Sequence, residues 1–209
     1  MKQKETCFEY RKFSEKEIAL YEAVNALLRR GEVISDLRVA DIAQQAGIGK
    51  GTVYEYVSSK EELIAKAFLY HLEQELEQLR AGLASEKGFK EQCEAVFGCI
   101  YRDFSSGMNM LQLFLASNLS QQLLQTMERH RDSFDAAVDE LFALLDQMLD
   151  QGVKEGVLEA GHPSQYRQFV LTSICSGLLS RLCGRRSTEC EQEMAYQMLV
   201  NALGKHKEQ

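Results

Sequence analysis

The chain has 209 residues, which suits one large domain or two small ones. Its 45% hydrophobic and 26% charged residues are ordinary globular values and exclude wholesale disorder, although the formal net charge is −7. One proline and no tryptophan argue against a turn-rich all-β fold and favour long helices. No apolar run approaches the ~20 residues that span a bilayer, and the start MKQKETCFEY does not resemble a signal peptide, so we expect a cytoplasmic protein without membrane contact.

The first predicted helix begins after Ser14. Ser14 and Glu17 have the spacing of a capping box, in which each side chain accepts a hydrogen bond from the backbone N–H of the other residue. An apolar stripe follows at helical spacing, and Gly31 is placed to end the helix.

Three further helices are predicted up to residue 83. Ser35 or Asp36 is the expected N-cap of a short second helix that stops at Gly47. A third short helix is predicted over residues 50–57 and a long fourth one over residues 60–83.

The rest of the chain also has helical periodicity, and no stretch alternates with period two for long enough to form a strand. The predicted fold is therefore all-α: a three-helix head over residues 1–60 and a larger helical bundle over residues 61–209, with about nine helices in all. The later helices are expected over residues 87–105, 108–117, 120–153, 164–183 and 188–203.

Charge is unevenly distributed between these two parts. Residues 1–60 carry a net charge of +1, and residues 61–209 carry −8. A polyanion could therefore bind only through a local basic patch on the head.

Residues 39–56 read VADIAQQAGIGKGTVYEY, a pattern typical of a helix-turn-helix in which the second helix enters the DNA major groove. Lys50 and Thr52 lie near the start of that helix, where short donors and acceptors can reach base edges. Tyr54 and Tyr56 can donate their hydroxyls to phosphates. Lys60 can neutralise a phosphate at the start of the next helix, next to Ser59.

The segment AGIGKGTVYEYVSSKEEL resembles the DNA-binding signature of the TetR (TetR/AcrR) family of bacterial repressors. The resemblance extends from residue 14 to about residue 72. It implies a homodimer that binds a double-stranded operator and releases it when a small-molecule effector binds the body, with no enzymatic activity and no cofactor. The DNA contacts that it implies, together with Arg38 as an added phosphate contact, are Arg38, Lys50, Gly51, Thr52, Tyr54, Tyr56, Ser59 and Lys60.

Three positions depart from the family pattern, and one of them is Arg38, which stands where Thr is usual. Gly49 replaces the usual Ser and removes an N-cap hydroxyl, and Val57 replaces the usual Phe. We interpret Val57 as a change in packing rather than in DNA contact.

The resemblance also implies a ligand cavity and a dimer interface in the body. The effector pocket is expected to draw on an aromatic and methionine-rich set with one histidine and one cysteine: Tyr101, Phe104, Met108, Phe114, His130, Phe134 and Cys175. The last two helices are expected to pair with those of a second subunit through Ser173, Gly177, Leu178, Ser180, Met194 and Met198.

Two other functions have some support in the sequence. Residues 47–52 look like a nucleotide-binding glycine-rich loop, but Gln44 stands where a glycine is needed and Gly51 follows Lys50 where Ser or Thr is needed. Alternatively, the body could be a protein-interaction module below a DNA-binding head. No metal site is expected: His71 and Glu75 make only two ligands and are expected on a solvated helix face, and the six cysteines are expected mostly as free, buried thiols.

Overall fold

A computed structural model of the chain describes residues 13–85, 88–105, 120–182 and 189–204. Within these residues the structure has nine helices and no strand, apart from an isolated backbone bridge between Leu158 and Gly204. The all-α prediction is thus confirmed. The helices are α1 Glu15–Arg29, α2 Val39–Gln45, α3 Lys50–Val53, α4 Lys60–Ser85, α5 Phe89–Ser105, α6 Gln121–Arg129, α7 Arg131–Lys154, α8 Ser164–Leu182 and α9 Glu189–Leu203.

The start of α1 has the predicted capping box. The Ser14 hydroxyl accepts a hydrogen bond from the Glu17 N–H at 3.3 Å, and the Glu17 carboxylate accepts one from the Ser14 N–H at 2.9 Å. The helix ends at Arg29, just before Gly31 as predicted, and buries Leu20, Val24 and other residues of its apolar stripe against α2 and α4.

The start of α2 differs from the prediction. The N-cap is Arg38, without a side-chain hydrogen bond, and not Ser35 or Asp36. The Asp36 N–H donates to the Val33 carbonyl at 2.9 Å, so Asp36 belongs to a separate turn. Leu37 follows with only 1% exposure and is part of the core, and the helix begins after Arg38.

Helix α4 joins the head to the body. It packs against α1 on one side and against α5, α6 and α7 further along. Leu63, Ile64 and Phe68 are almost completely buried, and the core runs without interruption from the head into the body through this helix.

His71, on α4, is buried, so the expectation of a solvated helix face was wrong. Its Nδ1 lies 3.4 Å from the Asn25 amide nitrogen, and its Nε2 lies 3.4 Å from the Tyr21 carbonyl oxygen. Because a carbonyl can only accept, Nε2 carries the proton and the neutral Nδ1 accepts from Asn25. Burial, the largest cause, lowers the pKa of His71, against the opposing effect of Glu22.

The long helix expected over residues 120–153 is interrupted at His130. The Ser120 hydroxyl caps α6 by accepting from the Leu123 N–H at 3.1 Å. The His130 N–H then donates to Met127, three residues back, and the His130 carbonyl accepts from Phe134 and so starts α7. His130 therefore ends one helix and begins the next, a break that the apolar periodicity on both sides concealed.

None of the helices in the described part of the chain is both long and apolar enough to cross a membrane.

Candidate nucleic-acid interface

The turn between α2 and α3 is closed by backbone hydrogen bonds. The Ile48 N–H donates to the Ala43 carbonyl at 2.9 Å and the Gly47 N–H donates to the Gln44 carbonyl at 3.2 Å, the pair of bonds that defines a Schellman motif. Gly47 adopts φ +67°, which costs a glycine little and other residues much more. The sequence thus determines locally the angle at which α3 leaves α2.

Helix α3 is shorter than predicted, ending at Val53 rather than at residue 57. The N–H groups of Tyr54, Glu55 and Tyr56 each donate three residues back, which tightens the chain into a turn. Val53 and Val57 are buried at 0% and 4% exposure, so they anchor this segment to the core. The recognition segment, residues 50–57, is therefore one turn of helix followed by tight turns.

The anchored segment turns its polar side to solvent. Lys50 and Gly51 are exposed, and Tyr54 is 51% exposed although it is a large aromatic residue. Thr52 and Tyr56 are half-buried, Tyr56 with part of its ring against the core. An alanine Cβ built at Gly51 would meet no heavy atom within 4 Å, so the backbone there is open to an approaching molecule.

The N-terminus of α4 lies beside this segment. The Ser59 hydroxyl accepts from the Glu62 N–H at 3.1 Å and so caps the helix. The Lys60 ammonium donates to the Ser35 carbonyl at 3.1 Å, which uses one of its three hydrogens and ties α4 to the loop before α2.

Gly49 and Arg38 lie at the starts of the two short helices of the head. Gly49 is the N-cap of α3 and provides no side-chain hydrogen bond, in agreement with the expected loss of a cap hydroxyl. Arg38, at the start of α2, forms a two-bond ion pair with Asp41, with its Nε 2.7 Å from one carboxylate oxygen. Its guanidinium is therefore held by a carboxylate in the free protein.

The glycine-rich stretch at residues 47–52 connects α2 to α3. A phosphate-binding loop of the nucleotide-binding type follows a buried strand, whereas here a helix precedes it. The local structure is that of a helix-turn-helix.

Part of the predicted effector pocket can be located. Phe134 is buried in α7, His130 lies at the α6–α7 junction, and Cys175 lies on α8 near Cys93 of α5. Burial, followed by the neighbouring Cys175, raises the pKa of the Cys93 thiol. The side chains of Tyr101 and Phe104, and the residues Met108 and Phe114, lie outside the described part of the chain.

The predicted dimer residues divide into two groups. Leu178 is buried in the core of its own chain. The others are exposed in this structure of one chain: Ser173, Gly177, Ser180, Met194 and Met198. Two exposed aromatic residues on the same helix α8, Tyr166 and Phe169, were not predicted, and Phe169 is 70% exposed.

Sequence reasoning also missed an ion pair next to the recognition segment. Lys66 lies 2.8 Å from the Glu62 carboxylate, and its ammonium donates to the Tyr56 carbonyl at 3.1 Å. The Glu-to-Lys spacing of four was a signal for the ion pair. Nothing in the sequence indicated the contact with Tyr56.

The fold and this exposed segment define a helix-turn-helix protein with a helical body. Residues 34–67 match the family model of the bacterial regulatory proteins of the tetR family. The match covers the helix-turn-helix of the head, and in this segment the chain is similar to the tetR family.

Relatives share the fold over most of the chain. A putative transcriptional regulator from Saccharomonospora viridis, solved in complex with choline, is 20% identical with a TM-score of 0.71, covering 93% of this chain and 100% of that one. The transcriptional regulator FadR from Bacillus subtilis, solved in complex with stearoyl-CoA, is 18% identical with a TM-score of 0.63, covering 90% and 99% of the two chains.

A similarity in sequence is found with the fatty acid metabolism regulator protein of Bacillus subtilis (strain 168). The two are 25% identical over 126 residues, which make up 59% of this chain. The matched part spans 61% of the length of that relative.

Proposed function

We propose that the chain is a homodimeric, cytoplasmic transcriptional repressor that binds a double-stranded operator and is released by a small-molecule effector. The observation that carries this proposal is the recognition segment itself: Val53 and Val57 anchor it, while Lys50, Gly51 and Tyr54 are exposed to solvent. A helix anchored in this way can enter a major groove without unfolding.

Each residue has a role in this proposal. Lys50, Gly51 and Thr52 approach base edges, because they lie at the start of α3. The tyrosines Tyr54 and Tyr56 bind phosphates. At the rim of the interface Ser59 and Lys60 contact the backbone at the N-terminus of α4, and Arg38 does so by exchanging Asp41 for a phosphate.

The test measures how tightly the full chain binds DNA from upstream of its own gene, by fluorescence anisotropy at several salt concentrations. Lys60→Ala should weaken binding to all sequences and reduce the slope of log K against log salt by about one. Lys50→Ala should also reduce discrimination against unrelated DNA. Lys16→Ala, an exposed lysine on α1, is the matched control and should change neither quantity. Equal binding of the wild-type chain to upstream and unrelated DNA would contradict the proposal.

The second subunit is proposed to pack on the exposed face of α8 and α9. Phe169, Ser173, Gly177 and Ser180 recur at helical spacing on α8. On α9, which packs against α8, Met194 and Met198 are one turn apart and half exposed. Large apolar side chains beside small residues allow two helix pairs to approach closely. We leave Leu178 out of this proposed interface because it is already buried within its own chain.

Analytical ultracentrifugation tests this surface. Phe169→Asp should convert the dimer to a monomer, because it would bury a charge without a partner. Leu124→Asp on α6 is the matched control, since Leu124 is likewise an exposed apolar residue, at 50%, and lies on another helix. A wild-type chain that sediments as a monomer at micromolar concentration would refute the dimer.

The effector is proposed to bind in the body near Phe134 and His130, where sequence analysis placed the pocket. Two probes follow from the solved relatives, stearoyl-CoA and choline, which differ in charge as well as in apolar area. The probe that dissociates the operator complex at micromolar concentration identifies the effector class. If neither probe dissociates the operator complex but a bound protein does, the result would instead favour a body that acts as a protein-interaction module.

A further inference from the structure

The carboxyl end of the recognition segment is tied to α4 by one side chain. The Lys66 ammonium donates to the Tyr56 carbonyl at 3.1 Å and pairs with the Glu62 carboxylate at 2.8 Å. The other oxygen of Glu62 accepts from the Ser58 N–H at 2.7 Å and from the Ser58 hydroxyl. Lys66 and Glu62 thus hold two positions, 56 and 58, in the short connection between α3 and α4. We call these four residues the α4 clamp.

The α4 clamp differs from an ordinary exposed ion pair. The side chains of Lys66 and Glu62 are only 16% and 22% exposed, so solvent screens the pair little. Burial would raise the pKa of Glu62, but hydrogen bonds from Lys66 and Ser58 outweigh it and lower that pKa to about 2. The carboxylate is therefore ionised at neutral pH.

The clamp also borders the body. Helices α6 and α7 both pack on α4, and they meet at His130. After burial, the charge of Lys66 is the next cause that lowers the pKa of His130, while Glu62 raises it and Arg129 lowers it further. The α6–α7 junction therefore lies within electrostatic reach of the residues that hold the recognition segment.

From this geometry we infer that Lys66 is a positioning residue, which sets the orientation of the recognition segment on α4 through the Tyr56 carbonyl and Glu62 without itself contacting DNA. The inference rests on the proposed DNA-binding function. The Lys66 ammonium is turned inward to two protein acceptors, whereas a phosphate contact needs an ammonium turned outward. Tyr54 and Tyr56, which are proposed to bind phosphates, depend on this orientation for their reach.

The experiment measures operator affinity and its salt dependence for the full-length Lys66→Met variant. Methionine keeps most of the apolar stem of lysine and removes the charge, so both hydrogen bonds are lost. We expect operator affinity to fall about tenfold, the usual order for a hydrogen bond to a charged group. The slope of log K against log salt should stay unchanged, because no phosphate contact is removed.

Two variants complete the design. Lys90→Met removes an ion pair of the body, with Glu193, and should leave operator affinity unchanged. Glu62→Gln keeps an oxygen that can accept from Ser58 but loses the charge that holds Lys66, so a smaller loss is expected, again with the wild-type salt slope. If circular dichroism shows that Lys66→Met is unfolded, the operator affinity and salt slope of Glu62→Gln test the inference in its place.

The outcomes separate the inference from the function beneath it. A salt slope reduced by about one in Lys66→Met would mean that Lys66 contacts a phosphate, and the inference would be overturned. Wild-type affinity in both folded variants would overturn it as well. Failure of the wild-type chain to prefer upstream DNA would instead remove the proposed function, and the inference with it.

Discussion

Replacing Gly51 by alanine separates folding from DNA binding at the centre of the recognition segment. An alanine Cβ at this position meets no heavy atom within 4 Å, and Gly51 has no positive φ, so the free protein accommodates it without strain. Alanine also loses less backbone entropy than glycine in a helix. We therefore expect the free energy of unfolding to rise by about 0.5 to 1 kcal/mol.

DNA binding should respond in the opposite direction. If the Gly51 backbone lies against base edges, the added methyl group occupies the space that a base edge needs and displaces the neighbouring contacts. Losing one base contact costs about 1 to 3 kcal/mol, which corresponds to a loss of affinity of roughly 5-fold to 150-fold. Urea unfolding measures the first quantity, and fluorescence anisotropy at constant salt measures the second.

Gly82→Ala is the matched control for this prediction. Gly82 lies in α4, away from the recognition segment, and its added Cβ would make an ordinary 3.7 Å contact with Ala95. We expect a similar gain in stability with wild-type operator affinity. If Gly51→Ala also binds the operator like the wild type, the backbone at residue 51 does not approach DNA and the reasoning is refuted.

Three further predictions concern the body and its junction with the head. Gly152→Ala should lower the free energy of unfolding by about 1 to 3 kcal/mol, because the new Cβ would lie 2.9 Å from side-chain atoms of Leu158 and Phe89. Urea unfolding measures this change, and unchanged stability would contradict the close packing around Gly152 in α7. The free energy of unfolding should fall as the pH drops below about 6.5, because burial keeps the folded-state pKa of His71 below its pKa in the unfolded chain. Urea unfolding measured at several pH values tests this, and the decrease below pH 6.5 should be smaller in His71→Gln. Iodoacetamide at pH 8 should modify the exposed Cys190 before Cys93 and Cys175. Burial raises the pKa of the Cys93 thiol, and it raises the pKa of the Cys175 thiol to about 12. Peptide mass spectrometry measures the order in which the three cysteines are modified.

Short-range signals accounted for much of the head. The capping box at Ser14 and Glu17 and the helix stop at Gly47 act within a few residues, so the sequence alone located α1 and the turn into α3. The segment AGIGKGTVYEYVSSKEEL carried the resemblance to the tetR family, which the match of the family model over residues 34–67 confirms. In these places the local preference of the chain and its final structure agree.

The misplaced helix boundaries have a different origin. Apolar periodicity continued through His130, yet the chain divides α6 from α7 there. Helix α2 begins after Arg38, next to the buried Leu37, although Ser35 and Asp36 offer capping side chains just before it. Apolar periodicity indicates which face of a helix is buried, but it does not locate the residue at which one helix ends and the next begins.

Contacts between distant residues were decided only by the tertiary structure. His71 was expected in solvent, but its helix packs against α1 and places the imidazole between Asn25 and Tyr21. Lys66 carried an ordinary ion-pair spacing, and the position of the recognition segment turned its ammonium onto the Tyr56 carbonyl. The sequence alone thus determined the all-helical class, the cap of α1 and the turn at Gly47, because those preferences are local. Which polar groups meet across helices depended on how the helices pack, because burying an unpaired polar group costs free energy and selects the arrangement in which it finds a partner.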